Sequence, residues 1–284
     1  MRFRNKYNIN LFDNPLKQDS NSLEDKNRLE ANWYDEESKV AFSQLNYGID
    51  LMPMDSEFES WFAPFYDNPK LQYHYDRDWA FFSLFPRAGN FRFLELGCGN
   101  GCLSRFFIRR GIEVHSLDIS MAYCRFIRLS DSRTEPARSC AEILPYKDNT
   151  FDIVTAFVAL HHFNLNLCLY EIYRVLKPDG RAIFIEPLSN SRLLYTLRQL
   201  FPIKDNESPG GGGLHSKELA LKLKSAGFEF EIEEYELFTR LERLPLIRHL
   251  QRGLRKFDYF IFTINPSLRR FARTAVIEIK KPSQ

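Results

Sequence analysis

The chain has 284 residues, of which 44% are hydrophobic and 27% charged, which supplies a proper core and excludes a disordered chain. A formal net charge of +2 makes no global demand for a polyanionic partner. The five cysteines (Cys98, Cys102, Cys124, Cys140, Cys168) are scattered with no C-x-x-C pair, which argues against a disulfide framework or a zinc site and for reduced thiols. MRFRNKYNIN at the start lacks the apolar run of a secretory signal, and nowhere are there about 18 consecutive apolar residues, so the expected location is cytoplasmic.

Residues 1–18 read as a polar leader, and a helical pattern follows from Ser20 to about Leu45. An aromatic stretch comes next, with Phe58, Trp61, Phe62, Phe65 and Tyr66, then Tyr73, His74, Tyr75 and Trp79, broken by Pro53, Pro64 and Pro69. The 26 Phe and 13 Tyr of the chain leave two readings open, a Phe-rich core or an aromatic-lined pocket. Residues 1–86 are therefore expected to form a leader and a helical cap.

At Pro86 the pattern changes. FRFLEL (91–96) reads as a strand, a helix follows from about Cys102 to Arg110 closed by Gly111, and IEVHSL (112–117) is the next strand. Helix at Met121–Leu129, strand FDIVTAF (151–157), helix at about 166–176, the turn KPDG and strand GRAIFIE (180–186) continue the alternation. Such alternation implies an α/β domain with a doubly wound, mostly parallel sheet over residues 87–284. After the glycine-rich loop SPGGGG (208–213), Ser216 is expected to cap a helix to Ala226, with Gly227 ending it. FEFEIEEYELF (228–238) alternates in period two, and ARTAVIEIK (272–280) reads as a last strand paired with it. The residues between, 240–272, must then leave the sheet as an insertion, and are expected to border an acceptor pocket.

The chemistry concentrates at Leu94-Glu95-Leu96-Gly97-Cys98-Gly99-Asn100-Gly101, between an apolar strand and a helix. Glycines there let backbone approach a ligand closely, and the N–H groups of the helix start suit an anionic group. A dinucleotide fingerprint, G-x-G-x-x-G, would need its third glycine where Cys102 stands. Asp118 ends the next strand, where an acid binds ribose hydroxyls. Together these features describe an adenosine-containing ligand without a pyrophosphate.

Over about residues 91–186 the sequence resembles the class I S-adenosylmethionine-dependent methyltransferases, specifically their small-molecule branch. The resemblance is carried by LELGCGNG (94–101), SLDIS (116–120), AEILP (141–145) with DNTFDIVTAFVALHHF after it, and RVLKPDGRAIFIEP (174–187), in that order. It implies a seven-stranded sheet and S-adenosyl-L-methionine as cofactor. It further implies that the loop of Gly97, Cys98, Gly99 and Gly101 passes along the methionine part and that Glu95 orients this loop or meets the amino group. Asp118 takes the ribose hydroxyls, Ile119 packs on adenine, backbone at Ala141 faces the adenine edge, and carbonyls near Phe157 and Val158 line the sulfonium side. The family commonly has Asp where this chain has Cys140, a contact for which Glu142 is the compensating candidate.

Candidates for a general base are His162 and His161 after the fourth strand, His215 after the glycine loop, His74 in the cap, and Glu186, whose other reading is to hold a strand end. After that strand no Asn/Asp-Pro-Pro-Tyr element and no Pro-Cys nucleophile occurs, which disfavours base amines, glutamine amides and cytosine C5 as acceptors. Residues 240–273 carry nine Lys or Arg against only Glu242 and Asp258, interleaved with Leu, Ile, Phe and Tyr. That pattern reads either as a solvated face or as peripheral contact with a membrane or amphiphilic substrate, with nucleic acid disfavoured. The expected activity is methylation of a small amphiphilic or aromatic acceptor, at oxygen ahead of nitrogen or carbon. An RNA-modifying methyltransferase and a non-catalytic binding module remain the alternatives. No metal site is expected.

Overall fold

The central strands of the sheet present their apolar side chains alternately to two covered faces. The computed structural model describes residues 20–46, 52–67, 75–87, 89–191, 213–239 and 250–283. Three helices come first: α1 (Ser20–Asn46), α2 (Met52–Asp67) and α3 (Arg77–Ser83). Then follow β1 (Arg92–Leu96), α4 (Cys102–Ile108), β2 (Glu113–Asp118), α5 (Met121–Ser130), β3 (Ala137–Arg138) and β4 (Phe151–Phe157). A 3-10 turn (Leu160–His162), α6 (Leu165–Val175) and β5 (Leu176–Pro187) come next. The last elements are α7 (Ser216–Ser225), β6 (Glu229–Tyr235), α8 (Gln251–Ile264), a 3-10 segment (Pro266–Phe271) and β7 (Thr274–Lys280).

The seven strands lie in the order β3-β2-β1-β4-β5-β7-β6. All pairs from β3 through β5 are parallel, and β7 runs antiparallel to both β5 and β6. The order reverses at β1, between β2 and β4, so the carboxyl edge there is the switch point where open sheets bind ligands.

One face of the sheet buries Leu94, Val154, Phe184 and Ile277 under α6 and α7, together with Leu169, Ile172, Leu219 and Leu223. Their chain neighbours Phe93, Ile153, Ile183 and Val276 face the other way. There they meet Phe62 and Tyr66 of α2, Phe81 and Phe82 of α3, Phe85, and Phe106 and Phe107 of α4. These rings interlock edge-on or offset, as between Phe82 and Phe106 at 5.2 Å and Phe85 and Phe107 at 4.7 Å. The phenylalanine excess thus serves mainly a core. Helices α2 and α3 form a layer of the sandwich, whereas α1 packs on α5 and continues toward the carboxyl edge.

Two local readings change. KPDG lies inside the span of β5, where the register against β4 shifts and Asp179 takes a left-handed φ of 61°. Ser216 is the first residue of α7 and does not cap it. His215 holds the cap position and makes no side-chain cap bond, while Asn190 from after β5 accepts from Ser216 N at 2.8 Å. The cap comes from a distant residue, which local spacing does not show.

Candidate functional site

A cavity of about 210 Å³ opens at the carboxyl edge of β1, β2 and β4. Its floor includes Gly97, Gly99, Asp118, Ile119, Ala141, Glu142 and Phe157, and His162 stands at its rim with Phe163. Glu95, Cys98, Gly101, His161 and His215 do not line it. Its roof is α1, through Asn27, Glu30 and Tyr34, which share one helix face by their i, i+3, i+7 spacing.

The glycine loop is fixed from several sides. Cys98 N donates to Leu117 O at 3.0 Å, and the buried Arg105 guanidinium donates from behind to Asn100 O at 2.8 Å. Gly97 has φ 63°, and a Cβ on it would come within 2.7 Å of Ala159 Cβ, so the β1 and β4 loops touch only because the residue is glycine. Gly99 has φ 48°, and a Cβ there would meet no protein atom within 4 Å. Its backbone therefore borders open space in the cavity, as a cradle for an elongated ligand requires.

Asp118 ties this loop to the next. One carboxylate oxygen accepts from Gly99 N and the other from Ser120 N, each at 2.8 Å. Burial pushes its pKa up to about 6, against the opposing effect of these two N–H donors. Each oxygen keeps a further lone-pair site, so ribose hydroxyls can be added to the existing bonds. Glu95 is turned beneath the loop onto Ser104 Oγ, which also pairs with Ser116 Oγ at 2.5 Å. Burial raises its pKa to about 7. It supports the loop from below, so of its two expected roles the geometry favours orientation.

Glu142 is buried and accepts from Asn164 N at 2.7 Å, beside Cys140 and Ala141. After β4, the backbone makes a tight turn in which Val158 adopts φ 57°, a strained value for a β-branched residue. The turn is held by Glu186, fully buried at the end of β5. Its carboxylate accepts from Ala159 N at 2.9 Å and Leu160 N at 2.7 Å, and lies 2.7 Å from His161 Nδ1. His161 and Glu186 are thereby consumed in shaping the loop.

His162 is different. Its Nε2 lies 3.2 Å from Tyr34 Oη, and its Nδ1 is 3.6 Å from Glu30 Oε1. Its carbonyl accepts from Lys26 Nζ. Glu30 is only 4% exposed, and among the described residues neither of its carboxylate oxygens has a hydrogen-bond partner. Asp35, one helical turn on from Ala31, accepts from Ser120 Oγ and Ala122 N and so pins α1 to the start of α5. The residues that close the roof, Asn27, Glu30 and Tyr34, escaped the sequence reading. Their only signal was a shared face of a helix read as part of a cap.

His215 is exposed at the start of α7, and His74, Arg240, Arg243, Arg248 and the loop 208–212 lie outside the described residues. The described part of the insertion, α8, stands outside the sheet between β6 and β7. The insertion was expected to border an acceptor pocket, and none of its described residues lines the glycine-loop cavity. Instead Arg255, Asp258, Tyr259 and Phe262 line a second cavity of about 280 Å³ with Glu231, Glu233 and Glu278. The displacement follows from the sheet order: β6 is the far edge strand, with β7 and β5 between it and β4.

Residues 94–184 match the methyltransferase domain family. A Danio rerio protein named arginine-hydroxylase NDUFAF5, mitochondrial, is 31% identical over 173 residues, covering 57% of this chain and 52% of that protein. The glycine/sarcosine/dimethylglycine N-methyltransferase of Actinopolyspora halophila is 32% identical over 157 residues, 51% of this chain and 27% of that one. The chain thus spans about half or less of these curated relatives. Among solved structures, an S-adenosylmethionine-dependent methyltransferase from Mesorhizobium loti superposes with a TM-score of 0.51 at 18% identity, over 72% of this chain and 98% of that chain. This likeness is one of fold.

Proposed function

Since residues 94–184 make this chain a member of the class I S-adenosylmethionine-dependent methyltransferases, we propose that it methylates a small amphiphilic or aromatic acceptor at a hydroxyl oxygen, with His162 as the general base. The cavity fits the cofactor by its own features: open space at Gly99, a carboxylate with spare acceptor sites at Asp118, and apolar walls at Ile119 and Phe157. When bound, S-adenosylmethionine supplies an electrophilic methyl group, and it would be held by the loop of Gly97 and Gly99 with Asp118, Ile119 and the backbone at Ala141.

The observation that carries the acceptor reading is His162, set between Glu30 and Tyr34 at the rim of the cavity. Glu30 beside Nδ1 favours the tautomer with its proton on Nδ1, which makes Nε2 the acceptor nitrogen. Tyr34 Oη holds that nitrogen until an acceptor hydroxyl takes its place. The proton lost by the hydroxyl then passes to Nε2, and the imidazolium so formed is stabilised by the Glu30 carboxylate. Tyr34, Tyr123 and Phe163 supply aromatic walls against which an acceptor can be aligned.

The test is a panel of phenols, aliphatic alcohols and amines incubated with the full chain and S-adenosylmethionine, scored for both methylated product and S-adenosylhomocysteine. Because a relative sharing the domain is named a hydroxylase, the product must be identified. His162→Asn should lower kcat on a hydroxyl acceptor roughly 10²–10⁴-fold while the affinity for S-adenosylhomocysteine stays the same. Methylation confined to amines, or full turnover by the variant, would overturn the assignment.

A further inference from the structure

Helix α8 is held in one orientation by its inward side. Asp258 accepts from Leu237 N at 2.9 Å, Phe238 N at 2.8 Å and Thr239 N at 2.9 Å, which ties the helix to the end of β6. From the same side, Arg255 reaches Asp76 at 2.5 Å and Asp78 at 3.3 Å, and Phe262 is buried. With that side committed, 3.6 residues per turn determine what faces outward.

Leu250, Phe257 and Ile264 recur at intervals of seven and share a stripe with Phe260. They are 51%, 46%, 65% and 57% exposed in that order of Leu250, Phe257, Ile264 and Phe260. Phe238 extends the patch, its ring 5.4 Å from that of Phe257. Four large apolar side chains in register on one solvent-facing stripe exceed the scattered exposure normal for a monomer's surface. Next to the stripe on the helix surface come Arg252 and Lys256, both exposed, with Arg270 exposed in the 3-10 segment that follows. The glutamates of the second cavity lie across the helix, on the side of Arg255 and Phe262.

We propose that this face of α8 docks on an anionic lipid bilayer. The charge pattern selects that occupant: an apolar stripe bordered by cations is what a helix lying in the plane of a headgroup region presents. The apolar rings enter the boundary of the acyl chains, and the cations stay at headgroup depth. Among the described residues no helix is long and apolar enough to cross a membrane, so the contact is peripheral.

Flotation of the full chain with phosphatidylcholine vesicles, with and without phosphatidylglycerol, tests the proposal. The protein should float with the anionic vesicles at low salt and be released at high salt, because screening shortens the reach of its cations. Phe260→Ser with Ile264→Ser should weaken binding at least tenfold, by loss of apolar burial. Arg252→Gln with Lys256→Gln should weaken it about 25-fold, at about fivefold per cation. Unchanged melting and S-adenosylhomocysteine affinity identify these variants as folded. No flotation at low salt, or equal flotation with neutral and anionic vesicles, would overturn the proposal. So would a concentration-dependent dimer that the Ser variant dissolves without any vesicle binding, since the stripe would then cover a second copy of the chain.

Discussion

Two buried carboxylates beside the loop after β4, Glu186 and Glu30, are treated in opposite ways. Glu186, on the sheet, is completely engaged: it accepts from successive backbone N–H groups and from His161, and holds the strained turn at Val158 in place. Glu30, on α1, is also buried but has no hydrogen-bond partner among the described residues, and His162 Nδ1 lies 3.6 Å from its Oε1. A buried polar group left without a hydrogen bond is costly. The sheet side of the cavity is therefore held by satisfied hydrogen bonds, whereas on the α1 side a buried carboxylate lacks them among the described residues. In the proposed function, the first region supports fold and cofactor, and the second bears on the acceptor.

The largest expected effect is at Glu186. Glu186→Gln replaces one acceptor oxygen by an amide that opposes the His161 donors, and should cost roughly 3 kcal/mol in stability, seen as a lowered Tm. Glu30→Gln breaks no hydrogen bond among the described residues and should leave Tm unchanged or raised. A fall in Tm for both variants would erase the contrast between the two regions.

At Asp118 the difference lies in binding. Asp118→Ala loses the bonds to Gly99 N and Ser120 N as well as the ribose contacts, and should weaken S-adenosylhomocysteine binding on the order of a hundredfold. Glu30→Gln should change that affinity by less than about threefold. Calorimetric titration of both variants distinguishes floor from roof, and equal losses would place the cofactor against α1.

The smallest effect comes from Glu95 and depends on pH. Its pKa in the folded chain, raised to about 7 by burial, exceeds the ordinary 4.5, so the folded state holds a proton that the unfolded state releases. The associated stability is present below about pH 4.5 and is lost as pH rises through about 7. Glu95→Gln should then be more stable than the parent chain by on the order of 1–3 kcal/mol at pH 8, with little difference at pH 4. Denaturant midpoints at the two pH values check this, and a variant less stable at pH 8 would show that the carboxylate's bond to Ser104 outweighs its burial.

What the sequence revealed follows the physics of range. The strands β1, β4, β5 and β7 announce themselves because continuous apolar runs are what a sheet covered on both faces needs. The two residues of β3 are too few to carry a period, and they were expected only through family resemblance. Gly97, Gly99 and Asp118 were legible as a loop and a strand end because positive φ and close backbone packing demand particular residue types at a fixed distance from strand ends. Glu30 and Tyr34 were not, since a Glu and a Tyr on a helix face look alike whether solvated or folded over a cavity. His161 and His162 are adjacent and chemically identical in sequence, and only the position of Glu186 separates the one that shapes the loop from the one that faces the cavity. The insertion's charge pattern was visible, but its distance from the site was not, because that depends on the antiparallel placement of β7 between β5 and β6.

The central claim, a cavity built for an adenosine ligand without pyrophosphate, is tested most directly by calorimetric titration of the full chain with S-adenosylhomocysteine and, separately, with NAD. The account predicts a saturable one-to-one isotherm with S-adenosylhomocysteine and none with NAD. Binding of NAD with no heat from S-adenosylhomocysteine would contradict it.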